Sequence, residues 1–317
     1  MENIHIIMTK TIPERKSSLK DYIMDGMKCL EEQFIDYQVA EKEDDQYTFF
    51  HFTYEQSDEH VQDVIHHYVS DWITEYMIEM EEPHLLQSII TKEFFYKDPV
   101  EIENILKYAF HLLDYGDFEI DERSDLRKLG RKCRIFTRVY EFMAEKQPFQ
   151  LEGFIRFRLQ EYHEELREVV EYAIDEYVMD KEYQEFIKLL RYFVMAQQPK
   201  VQLVQVIHYG DRNFVICNEE YIPYRREDME GFMKGVTEQD LNYADFIVST
   251  LISVAPKQVV LHTREDEAHH VIRTMKNIFE DRLTICKCCP DCDKILLSSR
   301  SSIENILDKG STNLYHS

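Results

Sequence analysis

Residues 199–217 read PKVQLVQVIHYGDRNFVIC, and the character of the chain changes within this stretch. Two short runs of β-forming residues, 201–208 and 214–217, flank a YGDRN sequence whose Gly-Asp pair is typical of a hairpin turn. Before Pro199 the pattern is helical, and after it short strands alternate with helices. The stretch therefore predicts a small strand-containing module that follows a helical region.

The region before Pro199 predicts a series of amphipathic helices. From about residue 58 to residue 198, apolar residues recur at helical spacing, as in Ile102, Ile105 and Phe110, and such stripes usually face a core. Short runs at 4–8 and 47–54 predict N-terminal strands around one helix. We therefore predict an α+β fold with a helix-dominated middle, short N-terminal strands and a small C-terminal α/β module containing one right-handed crossover.

The same pattern divides the chain into four predicted segments. They are an N-terminal strand-helix-strand segment, a helical region, the C-terminal α/β module and a polar tail, at residues 1–56, 57–198, 199–296 and 297–317. The tail begins near a Ser-Ser-Arg-Ser-Ser run, which is typical of a mobile terminus.

Composition limits the class of protein and its partners. The net charge of −24 over 317 residues disfavours nucleic acid and anionic membranes as long-range partners, although it does not exclude a local basic patch. We see no secretory signal and no apolar run of 18 residues, so a membrane location is not expected. The seven cysteines are odd in number, and Cys29, Cys133 and Cys217 are scattered. Reduced thiols in a cytoplasmic protein are therefore expected.

The sharpest chemical feature is the run CKCCPDC at residues 286–292. Cysteine thiolates are the soft ligands that zinc prefers, so Cys286, Cys288, Cys289 and Cys292 are candidate metal ligands. Adjacent cysteines normally diverge, and a more relaxed site uses three of them with a histidine: the candidates are His262, His269 and His270. Two alternatives remain open, a redox pair in CPDC and a cluster of half-buried thiols with no ligand.

A second candidate is an arginine-rich helix face in residues 122–138, where the local charge is positive. In helical register, one face carries Arg127, Arg131, Arg134 and Arg138, and a little further on Arg156 and Arg158 flank another apolar face. Guanidinium groups arranged in this way suit an anionic ligand or an acidic protein partner. The alternative is that they pair with neighbouring glutamates and orient two helices.

The segments EGFIRFRLQEY at 152–162 and YQEFIKLLRYF at 183–193 resemble the YtxC-like family of endospore-forming bacteria. The resemblance implies a cytoplasmic protein of sporulating cells and supplies no catalytic residues. We also find no nucleotide-binding or nucleophile motif. The leading interpretation is a non-enzymatic interaction or regulatory protein that uses the arginine face. The alternatives are a zinc-thiolate protein and, ranked last, an enzyme acting on a phosphorylated substrate.

Overall fold

The computed structural model describes residues 2–10, 13–32, 37–54, 59–115, 124–208, 214–224, 243–264, 270–287 and 289. They fall into two compact units, Met1–Asp180 and Lys181–Ser317, each with its own hydrophobic core. Helices dominate and the strands form two small sheets, so the predicted α+β class is confirmed. The predicted polar tail and the Gly-Asp turn lie outside the described residues. None of the described helices combines the length and hydropathy that a membrane span needs.

The N-terminal unit contains four strands and most of the helices. In chain order the elements are β1 (Glu2–Thr9), α1 (Pro13–Glu32), β2 (Tyr37–Glu43), β3 (Tyr47–Tyr54), α2 (Glu59–Tyr76), a π-helical turn (Met77–Glu81), α3 (Glu82–Lys92), α4 (Pro99–Tyr115), α5 (Ser124–Ala144), β4 (Phe149–Gln150), α6 (Leu151–Arg158) and α7 (Gln160–Ala196). The boundary between the units lies within α7.

The sheet of this unit has the strand order β2-β3-β1-β4. Strand β3 pairs antiparallel with both β1 and β2, whereas β4 pairs in parallel with β1. Residues alternate along β3, so that Phe50, Phe52 and Tyr54 are buried in the core while the residues between them are partly exposed. Strand β2 was not predicted, because its sequence YQVAEKE is polar and charged. That composition is common in an edge strand, which must avoid pairing with other chains.

Helices α2 and α5 pack together in the N-terminal unit, with Lys132 of α5 linking them by ion pairs to Asp71 and Glu75 at 3.0 and 2.7 Å. After α2 the helix widens into the π-helical turn, and Glu81 and Glu82 follow with buried side chains. The Tyr76 hydroxyl donates to Glu81 at 2.8 Å, and the Tyr162 hydroxyl donates to Glu82. The core of this unit therefore contains charged groups that need partners within the fold.

The C-terminal unit is a small α/β module that begins within α7. Its further elements are β5 (Val201–His208), β6 (Phe214–Cys217), α8 (Tyr243–Val254), β7 (Pro256–His262), α9 (His270–Phe279), a 3-10 turn (Glu280–Arg282) and β8 (Leu283–Cys286). The strand order is β6-β5-β7-β8, with β5 and β6 forming the predicted antiparallel hairpin. Strands β5, β7 and β8 are parallel, which brings their carboxyl ends to one edge of the sheet.

Candidate functional site

Three residues with metal-ligating side chains meet at the carboxyl edge of the C-terminal sheet. His262 ends β7 and Cys286 ends β8, and the two residues are register partners in neighbouring parallel strands. Cys289 follows three residues later, and its thiol returns to the imidazole of His262. One nitrogen of His262 and the two sulfur atoms all lie within 4.8 Å of one another. The edge at the carboxyl ends of parallel strands is also where α/β folds commonly bind ligands.

The distance between Cys289 and His262 fits a tetrahedral zinc ion. With Zn–S of about 2.3 Å and Zn–N of about 2.0 Å, tetrahedral geometry places a sulfur and a nitrogen ligand roughly 3.5 Å apart. The Cys289 Sγ to His262 Nδ1 distance is 3.7 Å. The same distance suits a hydrogen bond between the thiol and the imidazole. The geometry therefore accommodates both a zinc-bound and a metal-free form of the site.

A hydrogen bond from the neighbouring strand holds the imidazole of His262 on the side away from Cys289. Its Nε2 lies 2.8 Å from the Oε1 atom of Gln205 on β5, and both side chains are buried. An amide oxygen only accepts, so Nε2 carries the proton and the lone pair of Nδ1 faces the cysteines. Metal-ligating histidines are usually oriented by such a second hydrogen bond.

An aromatic ring and a second histidine complete the surroundings. Tyr221 has a φ of 60°, an uncommon value for a tyrosine, in a turn where the Asn218 side chain accepts hydrogen bonds from two backbone amides. The turn places its ring 5.9 Å from that of His262. His208, at the end of β5, bonds to Thr263 Oγ1 at 2.9 Å and stacks on Phe214. Tyr221 is thus the aromatic neighbour of His262, while His208 bonds to Thr263, the residue after His262.

The structure brings some of the predicted metal ligands together. Cys286 and Cys289 meet His262, one of the three histidines considered, whereas His270 lies near Tyr183, with ring centroids 6.2 Å apart. Cys288, Cys292 and His269 lie outside the described residues. Gln205 was not foreseen. A usable signal was that three predicted strands end at His208, His262 and Cys286, each with a side chain able to bind metal.

The predicted arginine face divides in the structure. Arg127 is exposed, but the side chain of Arg131 is only 8% exposed and contacts groups within the N-terminal unit. It donates to the backbone carbonyl of Leu113 and to Asp114 Oδ1, the latter at 3.1 Å, and its Nε lies 3.6 Å from Glu82 Oε2. Burial raises the pKa of Glu82, while Tyr162 and Arg131 act in the opposite direction. Arg131 therefore compensates a buried carboxyl group.

Three of the predicted arginines surround one pocket of the N-terminal unit, with a volume of about 370 Å³. Arg134 pairs with Glu165 at 2.6 Å, Arg138 with Glu161 at 3.1 Å, and Arg158 with Glu145 at 3.0 Å. The pocket is lined by Cys133, Arg134, Ile135, Thr137, Arg138, Glu141, Arg158, Leu159, Glu161, Tyr162 and Glu165. The pocket therefore combines paired arginines and glutamates with the apolar residues Ile135 and Leu159.

Arg156 lies apart from these three residues. It is exposed, and its guanidinium carbon lies 5.4 Å from the ring centroid of Phe157, its exposed neighbour. It does not line the pocket that Arg134, Arg138 and Arg158 share.

Comparison with known proteins places the chain in a family. The YtxC-like family model matches residues 67–284, more than half of the chain. The chain belongs to the YtxC-like family. It is 32% identical, over 220 residues, to a Bacillus subtilis (strain 168) protein named "Uncharacterized protein YtxC", and the alignment covers 69% of this chain and 76% of that relative. No solved structure matches the chain. The family resemblance predicted from residues 152–162 and 183–193 is confirmed.

The stretch matched by the YtxC-like family model includes the arginine pocket and His262. It ends at residue 284, two residues before Cys286. The thiol half of the candidate metal site therefore lies beyond the matched stretch.

Proposed function

We propose that the chain is a non-catalytic zinc-binding protein whose ion serves a structural or regulatory role. The observation that carries the proposal is the convergence of His262, Cys286 and Cys289, with their ligand atoms within 4.8 Å of one another. A deprotonated sulfur pair with one neutral imidazole matches the donor set of structural zinc sites. Either Cys288 or Cys292, both predicted ligands, would complete a four-coordinate site.

Two features of the surroundings support a metal rather than a chance cluster of thiols. Gln205 fixes the His262 tautomer that a metal requires, and it does so from the neighbouring strand of the sheet. No disulfide links the cysteines whose thiols the structure describes, Cys133, Cys217, Cys286 and Cys289. Cys286 and Cys289 are thus not linked to each other, and metal binding needs cysteines in this unlinked form.

Metal content per chain tests the proposal directly. Untagged protein, purified under reducing conditions without chelators, is expected to carry close to one zinc per chain by inductively coupled plasma mass spectrometry. Cys289→Ser and His262→Ala should lose the metal, whereas the matched control Cys133→Ser, altered in the N-terminal unit, should keep it. A wild-type protein that neither carries zinc nor takes it up on titration would overturn the proposal.

Zinc binding should also stabilise the C-terminal unit. A ligand that binds only the folded state adds about 2.7 kcal/mol when its free concentration is 100-fold above its Kd. A strong chelator is therefore expected to lower the unfolding midpoint of the wild type and to leave that of Cys289→Ser unchanged.

The cellular setting is part of the same proposal. The family resemblance supports a role in the cytoplasm of sporulating cells, where thiols remain reduced. Replacing the chromosomal copy with the Cys289→Ser allele should lower the yield of heat-resistant spores in the host organism, while Cys133→Ser should not. Equal spore yields for both alleles would separate the metal site from sporulation.

A second candidate function rests on the pocket lined by Arg134, Arg138 and Arg158. Its three guanidinium groups are held by carboxylates of the same chain, and the carboxylates of an acidic partner would replace those of Glu161 and Glu165. Polyglutamate is a suitable probe. It should raise the thermal midpoint of the wild type but not of Arg134→Glu/Arg158→Glu, with Lys107→Glu as the exposed control. The absence of any shift in the wild type would remove this candidate.

A further inference from the structure

The last turns of α7, within the C-terminal unit, carry large apolar residues on two adjoining faces. One face is buried: Ile187 and Val194 belong to the core of the unit, and Leu190 packs against it. The other face exposes Phe186 by 53%, Leu189 by 65%, Tyr192 by 73% and Phe193 by 52%. A run of large apolar side chains that continues from the core-facing side of a helix into solvent is typical of an interaction surface.

The four exposed residues form one continuous patch. Leu189 lies at its centre, since Phe186, Tyr192 and Phe193 are placed three residues before it and three and four residues after it on the same helical face. Side chains of this size present roughly 150–250 Å² each, so four that are more than half exposed leave on the order of 500 Å² of apolar surface. This area reaches the upper range of the largest patch on a typical monomer.

We propose that this patch, Phe186, Leu189, Tyr192 and Phe193, binds the same patch of a second copy of the chain. Two such surfaces bury on the order of 1,000 Å² together, which is the lower limit for a specific protein interface. A twofold axis needs only one self-complementary surface, and a single helix with Leu189 at its centre provides one.

Charge selects the direction of pairing. Glu182 and Glu185 are exposed at the N-terminal end of the patch. A parallel arrangement would bring each glutamate against its own counterpart. In an antiparallel arrangement centred on Leu189, Glu182 lies opposite Ala196 and Glu185 opposite Phe193, while Phe186 meets Tyr192. The antiparallel pair therefore avoids the like-charge contacts while keeping an aromatic contact between Phe186 and Tyr192.

The net charge predicts how this association responds to salt. Each copy carries a formal charge of −24, so two copies repel each other, and salt screens this repulsion over a Debye length of about 10 Å at 0.1 M. Self-association through an apolar patch should thus strengthen with ionic strength. We expect the dimer dissociation constant to fall at least tenfold between about 0.02 and 0.5 M sodium chloride.

Sedimentation equilibrium of the full chain under reducing conditions tests the dimer without contributions from disulfides. The wild type should shift from the 38.3 kDa chain toward twice that mass as concentration rises. Leu189→Glu places two carboxylates at the twofold axis and should weaken association at least 100-fold. Tyr172→Glu is the matched control, because Tyr172 lies on the same helix, is also 65% exposed, and is outside the patch.

Two results would overturn the proposal. One is a mass of a single chain at every concentration and salt, and the other is equal weakening by Leu189→Glu and Tyr172→Glu. Circular dichroism of both variants confirms that each is folded. Chelator is added in a parallel run, so that loss of zinc is measured separately from loss of the dimer.

Discussion

Replacing Arg131 and Arg134 in turn should separate an internal arginine from a surface arginine on the same predicted helix face. We expect Arg131→Met to lower the free energy of unfolding by about 3–5 kcal/mol, the usual cost of removing one partner of a buried ion pair. Arg134→Met should cost no more than about 1 kcal/mol, as is typical of exposed pairs. Methionine keeps much of the apolar stem in both variants, so the comparison isolates the charged group.

The magnitude for Arg131 follows from its contacts. Its guanidinium donates to the Leu113 carbonyl and to Asp114, and removing a charged donor costs about 1.5–3 kcal/mol for each bond. Its loss also removes from the buried carboxyl of Glu82 the cation that lowers its pKa most, so the pKa of Glu82 rises further. In contrast, the side chains of Arg134 and Glu165 are 58% and 45% exposed, so water replaces much of the lost interaction.

Urea unfolding provides the assay, because Trp72 is the only tryptophan and is buried in the N-terminal unit. With an m value of about 2 kcal/mol per molar, the Arg131→Met midpoint should fall by roughly 2 M and that of Arg134→Met by less than about 0.5 M. Adding Glu82→Gln to Arg131→Met should recover part of the loss, because it removes the unpaired carboxyl. Equal midpoints for the two single variants would refute the assignment of Arg131 as an internal pairing group.

Two further predictions concern the N-terminal unit. A methyl group added in Gly26→Ala would clash with the indole of Trp72, so we expect a loss of about 1–3 kcal/mol and a shift in tryptophan emission; unchanged emission and midpoint would contradict this packing. His5 and His51 face each other across β1 and β3 with their Nδ1 atoms 2.6 Å apart. Burial, followed by the charges of His5 and Lys42, lowers the pKa of His51, so its contribution to stability is present above the ordinary imidazole pKa of about 6.5 and is lost as pH falls through the lowered value. His51→Gln should therefore lose less stability than the wild type between pH 7.5 and 5.5 in urea unfolding; an identical loss would exclude the pair as the cause.

Much of the fold was predictable because the spacing of apolar residues and the types of residue indicate the same secondary structure over long stretches. The alternation in β3 and the runs of β5 and β6 give direct strand signals, and in the stripe Ile102, Ile105 and Phe110 the two isoleucines are buried and Phe110 packs, partly buried, against the core. The π-helical turn was not predicted, since its extra residue shifts the phase of the apolar residues only once, with no repeat that would mark it.

The arginine face shows what helical periodicity leaves out. Spacing determines the direction in which Arg127, Arg131, Arg134 and Arg138 project from α5, but it does not show which neighbours they meet. The end of α4 supplies a backbone carbonyl and a carboxylate for Arg131, whereas Arg134 and Arg138 meet glutamates of α7 near water. These contacts join positions 17 to 31 residues apart. They depend on tertiary packing, which no local pattern in α5 encodes.

The two halves of the candidate metal site have different relations to the family. His262 lies inside the stretch that the family shares, and it ends a buried central strand, where a histidine needs a hydrogen-bond partner even without a metal. Gln205 satisfies that need at one nitrogen, and Cys289 approaches the other. Because Cys286 and Cys289 lie beyond the stretch that the family model matches, the zinc proposal is made for this chain alone. Measuring the zinc content of the Bacillus subtilis relative beside that of this chain would therefore distinguish a property of the family from one added at the end of β8.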